Sequence, residues 1–384
     1  LKRVRELFEK IISDDNLRLA IDEVNKSHHW KAKHKPNACT AWVEITKDER
    51  IKQLREIIVN GFEQKPPRIT QRYDAAAQKT RTISEPIQWP DQYVHHALIQ
   101  VLQPVMMRSM DKYCCGSIKG RGSHYAKKCI EVWMRDEKST RWELCGDIYH
   151  FYDSLSPEVV MNRMKQLIKD RRTLDLIWRI IKDGVKIGAY PSQWFANTTL
   201  QPLDNLIRQS GLCTYYVRYM DNLTIFGSNK RKLRKLKILV EKWLNNKDLK
   251  LKHDWQIFPV NKRKPDAVGY RYGRGYTIPR KHNLIRMKRA LGRYRKKRKK
   301  GYVPRKMAQS ILSRLGQLKH CNNCNIYKKL YCGERIEKEL KTIIKQNKEV
   351  MTWTMFLEQK KSERENVKSS RQSATATRIS VAMS

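Results

Sequence analysis

Apolar positions recur at helical spacing through the first part of the chain. In VRELFEKII, Val4, Leu7, Phe8, Ile11 and Ile12 fall at i, i+3, i+4, i+7 and i+8, one face of a 3.6-residue helix. DERIKQLREIIVNGF keeps that period and predicts a helix stopped by Gly61. EQKPPRIT breaks the pattern, because Pro66-Pro67 force an extended passage. KTRTISEP then alternates like a strand, and DQYVHHALIQVLQPVMMRSM returns to a long helical pattern. RWELCGDIYHFYDSL holds a short apolar strand ending at Asp147. One helix is expected from the N-cap Ser156 to Gly184, and another over SQWFANTTLQPLDNLIRQSG. CTYYVRYMDNLTIFGS predicts a β-hairpin turning at Met220-Asp221-Asn222. A helix over KRKLRKLKILVEKWLNN, strands in DAVGYRYGRGYTI and three basic helical stretches follow, and the last part reads as a disordered tail.

Composition narrows the partners. The 81 Lys and Arg against 38 Asp and Glu give a formal charge of +43 over 384 residues. Such a field attracts phosphate backbones and predicts steeply salt-dependent binding. Ten Trp, seventeen Tyr and seven Phe argue against a disordered chain. No apolar run approaches the roughly 20 residues of a membrane span, so no membrane partner is expected. Nine Cys, an odd number with Cys114 and Cys115 adjacent, do not form a secreted disulfide pattern and point to a reducing cytoplasm.

In so basic a chain, an acid at the end of an apolar strand stands out. Asp147 follows WELCG and Asp221 sits at the tip of YYVRYMDNLTIF. Two carboxylates on adjacent strand ends can share a pair of divalent ions, and magnesium takes hard oxygen ligands together with substrate phosphates. Two such ions about 4 Å apart clamp the attacking and leaving oxygens of an in-line phosphoryl displacement. The plainer reading, equally weighted for either residue alone, is an Asp capping a turn.

The surrounding residues favour the first reading. Asp147-Ile-Tyr-His-Phe-Tyr152 resembles motif A of reverse transcriptases, and Tyr219-Met220-Asp221-Asn222 resembles their YxDD motif C. Ile187-Gly188-Ala-Tyr-Pro-Ser192-Gln193-Trp-Phe-Ala-Asn197 is similar to motif B. QKTRTISEPIQWPDQYVHHAL resembles the fingers segment, and VGYRY lies where the family has its late palm strands. The GxxxSQ pattern, DQYVHHAL and LGQLKHCNNCNIYKKL look most like the enzymes of diversity-generating retroelements, which are bacterial or phage-encoded.

The resemblance implies an α+β right-hand polymerase fold with an antiparallel palm sheet. It implies an N-terminal helical region (1–60), fingers (61–135), a palm with an interleaved fingers segment (136–280), a basic helical thumb (281–350) and a disordered tail (351–384). It also implies RNA-directed DNA synthesis with two Mg2+ ions, or Mn2+, held by Asp147, the Ile148 carbonyl, Asp221 and Asn222. Lys79 and Arg81 would meet the triphosphate, and Tyr152 would gate against ribonucleotides. Ile187, Gly188, Ser192, Gln193 and Tyr219 would line the nucleotide and template pocket, and Lys252 would protonate pyrophosphate. Template RNA, an RNA/DNA duplex, deoxynucleoside triphosphates and a small basic accessory protein are the implied partners. Asn222 stands where the family has a second Asp; an amide brings an oxygen but no charge, so weaker, manganese-favouring activity is expected. Ile187, where accurate members place a Gln, implies error-prone copying. A defence-associated (Abi-like) or other bacterial reverse transcriptase, a weakened RNA-binding relic of one, or a nuclease are the alternatives. His320-Cys321 with Cys324 and Cys332 reads as surface cysteines rather than zinc, since a second CxxC is missing. His95 and His96 read as packing residues.

Overall fold

The N-terminal periodicity folds into α1 (Phe8–Ile12), α2 (Asp14–Ala32), α3 (Ala38–Ile45) and α4 (Lys47–Val59) in a computed structural model that describes residues 2–32, 38–74, 79–322 and 336–346. Gly61, at φ +96°, ends this region as its lack of a Cβ allows. β1 (Arg68–Asp74) and β2 (Lys79–Glu85) form an antiparallel pair, and α5 (Tyr93–Met107) follows. β1 begins inside the stretch expected to be a simple break: the prolines end at Pro67, and Arg68 onward pairs along β2.

After β3 (Cys114–Cys115) and α6 (Ser123–Trp133) comes β4 (Trp142–Asp147), which ends at Asp147 as expected. The expected Ser156–Gly184 helix is instead α8 (Pro157–Leu167) and α9 (Arg171–Ile181), with α7 (Phe151–Ser154) before them. Long-range partners break it. Ile168 bridges Val4, and the Asp170 carboxylate accepts the N–H groups of Leu7, Phe8 and Thr173. The next expected helix is likewise two, α10 (Tyr190–Thr199) and α11 (Gln201–Gln209), because Pro202 has no N–H to continue the first.

β5 (Tyr215–Tyr219) and β6 (Asn222–Gly227) make the anticipated hairpin, followed by α12 (Lys230–Asn245), β7 (Gln256–Pro259), β8 (Asp266–Ala267), β9 (Tyr270–Gly273) and β10 (Tyr276–Pro279). The central sheet runs β3-β5-β6-β4-β7, antiparallel except for β3 beside β5, and β10-β9-β8 form a smaller sheet. Side chains alternate across a strand. Leu144, Tyr216, Leu223 and Ile225 therefore face the main core with Leu233, Leu236 and Val240 of α12. Val217 and Phe226 face a second cluster with Ala126, Ile130, Tyr270 and Tyr272. The last helices, α13 (Lys281–Lys299), α14 (Arg305–Leu318) and α15 (Ile336–Gln346), enclose a separate cluster around Leu291, Tyr294, Ile311 and Leu340. The tail expected over 351–384 lies outside the described residues. Among the described residues no helix is long and apolar enough to cross a membrane.

One acid is buried without compensation. Glu143 stands opposite Phe226 and Phe258 in the register of β4. It is fully buried, and neither carboxylate oxygen has a hydrogen-bond partner among the described residues. Burial, and then the nearby Asp266 carboxylate, push its pKa from the usual 4.5 up to about 8. Between those values the folded state holds a proton that the unfolded chain has released, so stability falls as pH rises, by about 1.4 kcal/mol per pH unit at most. Glu143→Gln is expected to melt above wild type at pH 8.5, with the gain vanishing near pH 4. A pH-independent difference in Tm would count against it.

Candidate active site

The register places the expected residues side by side. Asp147 pairs with Asn222, and Asn222 pairs with Tyr219. The three thus share one sheet face across β4, β6 and β5. Asp221 occupies the turn between β5 and β6, and its carbonyl accepts the Ile148 N–H at 3.3 Å. The Asn222 amide donates to the Asp221 carboxylate at 3.3 Å. Ile148 is itself buried and bridges Leu251. The flanking bonds, Tyr149 N–H to the Lys250 carbonyl and Lys252 N–H to the Asp147 carbonyl, are 2.8 Å each. That bridge leads Lys252 to the end of β4, where its ammonium pairs with Asp254 and its pKa is raised, first by that bond.

A cleft of about 660 Å3 is lined by Arg81, Asp147, Tyr219, Asp221, Asn222 and Lys252, with Val268 and Gly269 from the β8–β9 turn. Two carboxylates thus meet a guanidinium reached from β2. Lys79 is the first residue of β2, two positions before Arg81. The donor set suits magnesium: two hard carboxylates, an amide oxygen and space for phosphates.

Ile187, Gly188, Ser192 and Gln193 stand outside that lining. Ile187 and Gly188 dock on β2. The Ser84 N–H donates to the Ile187 carbonyl at 2.7 Å. Gly188 sits at φ +120°, and a Cβ there would come within 2.5 Å of the Ser84 carbonyl. Any larger residue would lift this loop off the strand carrying Arg81. Ile187 is half-buried in a loop, Ser192 is buried in the first turn of α10, and Gln193 beside it is exposed. Tyr152 is half-buried in α7 against Phe151. Its hydroxyl pKa is raised by burial and then by the Asp221 carboxylate, and lowered by Arg218 and Arg81; the residue is not among those lining the cleft.

His95 is fully buried with Nε2 3.0 Å from the Gln64 side chain, and His96 stacks on Tyr190. Among the described residues no cluster of three or more His, Cys, Asp or Glu is arranged to hold a metal. Cys324 and Cys332 lie outside the described residues. Sequence reading missed Arg218 and Asp204, which meet Asn197 at the end of the motif B segment beneath the Asp221 turn. The signal was present: an arginine inside the apolar strand YYVRYM needs a buried partner.

A mixed α+β chain whose antiparallel sheet presents two strand-end carboxylates to a cationic cleft is built as the palm of a right-hand polymerase. The chain belongs to the reverse transcriptase (RNA-dependent DNA polymerase) family, whose profile matches residues 65–261, just over half of its length. It is 24% identical over 103 residues to Protein YkfC of Escherichia coli (strain K12), covering 26% of this chain and 27% of that protein. It is 30% identical over 98 residues to the mitochondrial Nuclear intron maturase 1 of Arabidopsis thaliana, covering 26% of this chain and 13% of that one. The chain therefore spans about a quarter or less of these relatives. Telomerase from Candida albicans, solved with a fragment of telomeric RNA, superposes with a TM-score of 0.47 at 14% identity, over 76% of this chain and 57% of that one.

Proposed function

We propose that this chain is an RNA-directed DNA polymerase that copies a template RNA by adding deoxynucleotides to a primer 3′-hydroxyl. The observation that carries this reading is the cleft in which Asp147 and Asp221, on neighbouring strand ends, face Arg81. Asp147, Asp221, the Ile148 carbonyl and the Asn222 amide oxygen would hold two Mg2+ ions, which when bound lower the hydroxyl's pKa and offset phosphate charge. Arg81 and Lys79 bind the β- and γ-phosphates. Tyr152 bounds the sugar, while Ile187, from a loop docked on β2, and Ser192 and Gln193, from the first turn of α10, shape the nucleotide and template side. Lys252, held protonated beside Asp254, keeps a proton near the leaving pyrophosphate. A nuclease would need neither a triphosphate clamp nor a sugar gate. The test is extension of a primer annealed to an RNA template, with the product sequenced. Template-matched DNA supports the reading, and its absence with either Mg2+ or Mn2+ overturns it.

The finer reading is error-prone copying in the manner of diversity-generating retroelements. It is supported by Ile187, whose apolar side chain offers no hydrogen bond that a mispair would leave unsatisfied.

The duplex path extends over α13. Lys296, Lys297, Arg298 and Lys299 are exposed at its end, and Arg298 is paired with Glu339 at 3.0 Å. Neutralising all four is expected to flatten the slope of log K against log[salt] by about 3, since each phosphate contact contributes about 0.9 and Arg298 is already engaged. An unchanged slope would show a merely solvated face.

A further inference from the structure

Alternation along YYVRYM sends Val217 and Tyr219 to the cleft side of the sheet, and Tyr216 and Arg218 to the helix side. Arg218 is 0% exposed. A guanidinium is costly to bury, and here its donors all find acceptors. Nε and Nη2 grip the two oxygens of Asp204 at 2.7 Å each. Nη1 donates to the Asn197 side-chain oxygen and to the Met220 carbonyl, both at 2.9 Å. Nη2 also meets the Cys114 sulfur at 3.1 Å and the Asn197 carbonyl at 3.3 Å. The Tyr216 hydroxyl completes the set by donating to Asp204 at 2.6 Å.

Well-packed apolar residues often stabilise a fold as much as a buried ion pair does, so stability alone does not account for this arrangement. Its distinguishing contact is the one to Met220. That residue lies at φ +57°, a conformation an unbranched side chain adopts only when its surroundings impose it. The surroundings act from three sides. Its N–H donates to the Cys115 carbonyl at 3.1 Å, and its carbonyl is held by Arg218. Its side chain lies against Gly116, where a Cβ would come within 2.9 Å. Asn197 ties the same corner together by donating to the Gly116 carbonyl at 3.2 Å. The next residue in the chain is Asp221.

We infer that Arg218 is the positioning residue of the Tyr219–Asn222 turn, transmitting the fixed geometry of Asp204 and Asn197 to Asp221 through the Met220 carbonyl. A lysine reaches Asp204 with one ammonium but lacks the rigid fork that also holds Asn197 and Met220. The inference rests on the polymerase reading for its effect on rate, though not for its effect on the turn.

Two variants test it. Arg218→Lys keeps the charge, and the double replacement Arg218→Met with Asp204→Leu keeps an apolar, packed interior with no donor to Met220. Each full-length variant is measured beside wild type by circular dichroism, by amide hydrogen exchange over residues 215–227, and by single-turnover primer extension. For folded protein of either kind, exchange is expected to quicken at the turn. Extension is expected to slow by about a hundredfold, the scale of a small misplacement of a reacting group, with primer–template affinity unchanged. A purely structural role predicts a lower Tm with the rate per folded molecule intact, and that result overturns the inference. If either folded variant matches wild type in rate and exchange, the inference falls while the polymerase reading stands. If wild type itself fails to extend a primer, the polymerase reading falls, and exchange alone decides whether Arg218 holds the turn.

Discussion

Asp147→Ala and Asp221→Ala are each expected to lower primer extension by about a thousandfold or more while leaving RNA affinity within about twofold. The split follows from where the two functions reside. Affinity comes from cations spread along a chain of net charge +43, so one acid contributes little and its loss even removes a repulsive charge. Rate depends on the few groups at the reacting atoms, where charge stabilisation worth several kcal/mol corresponds to roughly three powers of ten. The two positions differ structurally in a way that helps the test. Asp147 lies at the end of a strand paired on both sides, whereas Asp221 sits in a turn, so both variants misfolding in the same way is not expected. Filter binding and single-turnover extension on one preparation read both quantities. Near-wild-type extension by either variant would remove that residue from the site, and equal loss of binding and rate would indicate unfolding.

Tyr152→Ala is expected to raise ribonucleotide incorporation relative to deoxynucleotide by roughly a hundredfold, the scale of discrimination that pocket shape supplies. The ring is half-buried against Phe151, and its hydroxyl is kept neutral by burial and the Asp221 carboxylate. In the proposed reading it serves as a wall for the sugar and not as an acid or base. Removing the wall opens space for a 2′-hydroxyl without touching a carboxylate, so deoxynucleotide addition should fall far less than ribonucleotide addition rises. The measurement is the ratio of kcat/KM for the two nucleotides on one RNA template. If the ratio stays put, Tyr152 is a packing aromatic and the sugar is bounded elsewhere.

Much of this site was legible along the chain because its chemistry is local. Strand alternation, a turn at Met220-Asp221-Asn222 and an acid closing WELCG locate Asp147 and Asp221 without any tertiary information. The same holds for most helices, whose apolar period is a property of a few turns. What the chain could not show was any feature owed to a distant partner. The break between α8 and α9 depends on Val4, Leu7 and Phe8, more than 150 residues away. The pairing of Ser84 with Ile187, which docks the Ile187 loop on the strand of Arg81, likewise joins residues far apart in the chain.

The sequence by itself determined most of the helical and strand periods, the cationic character and the placing of Asp147 and Asp221 beside apolar strands, since each is written in short-range periodicity or in residue type. Only the tertiary structure decided that Asp147, Asn222 and Tyr219 stand in one row, because register belongs to pairs of strands. It alone showed that an arginine buried beneath the turn donates to the Met220 carbonyl, because the partners of a buried charge are known only from the acceptors brought to it.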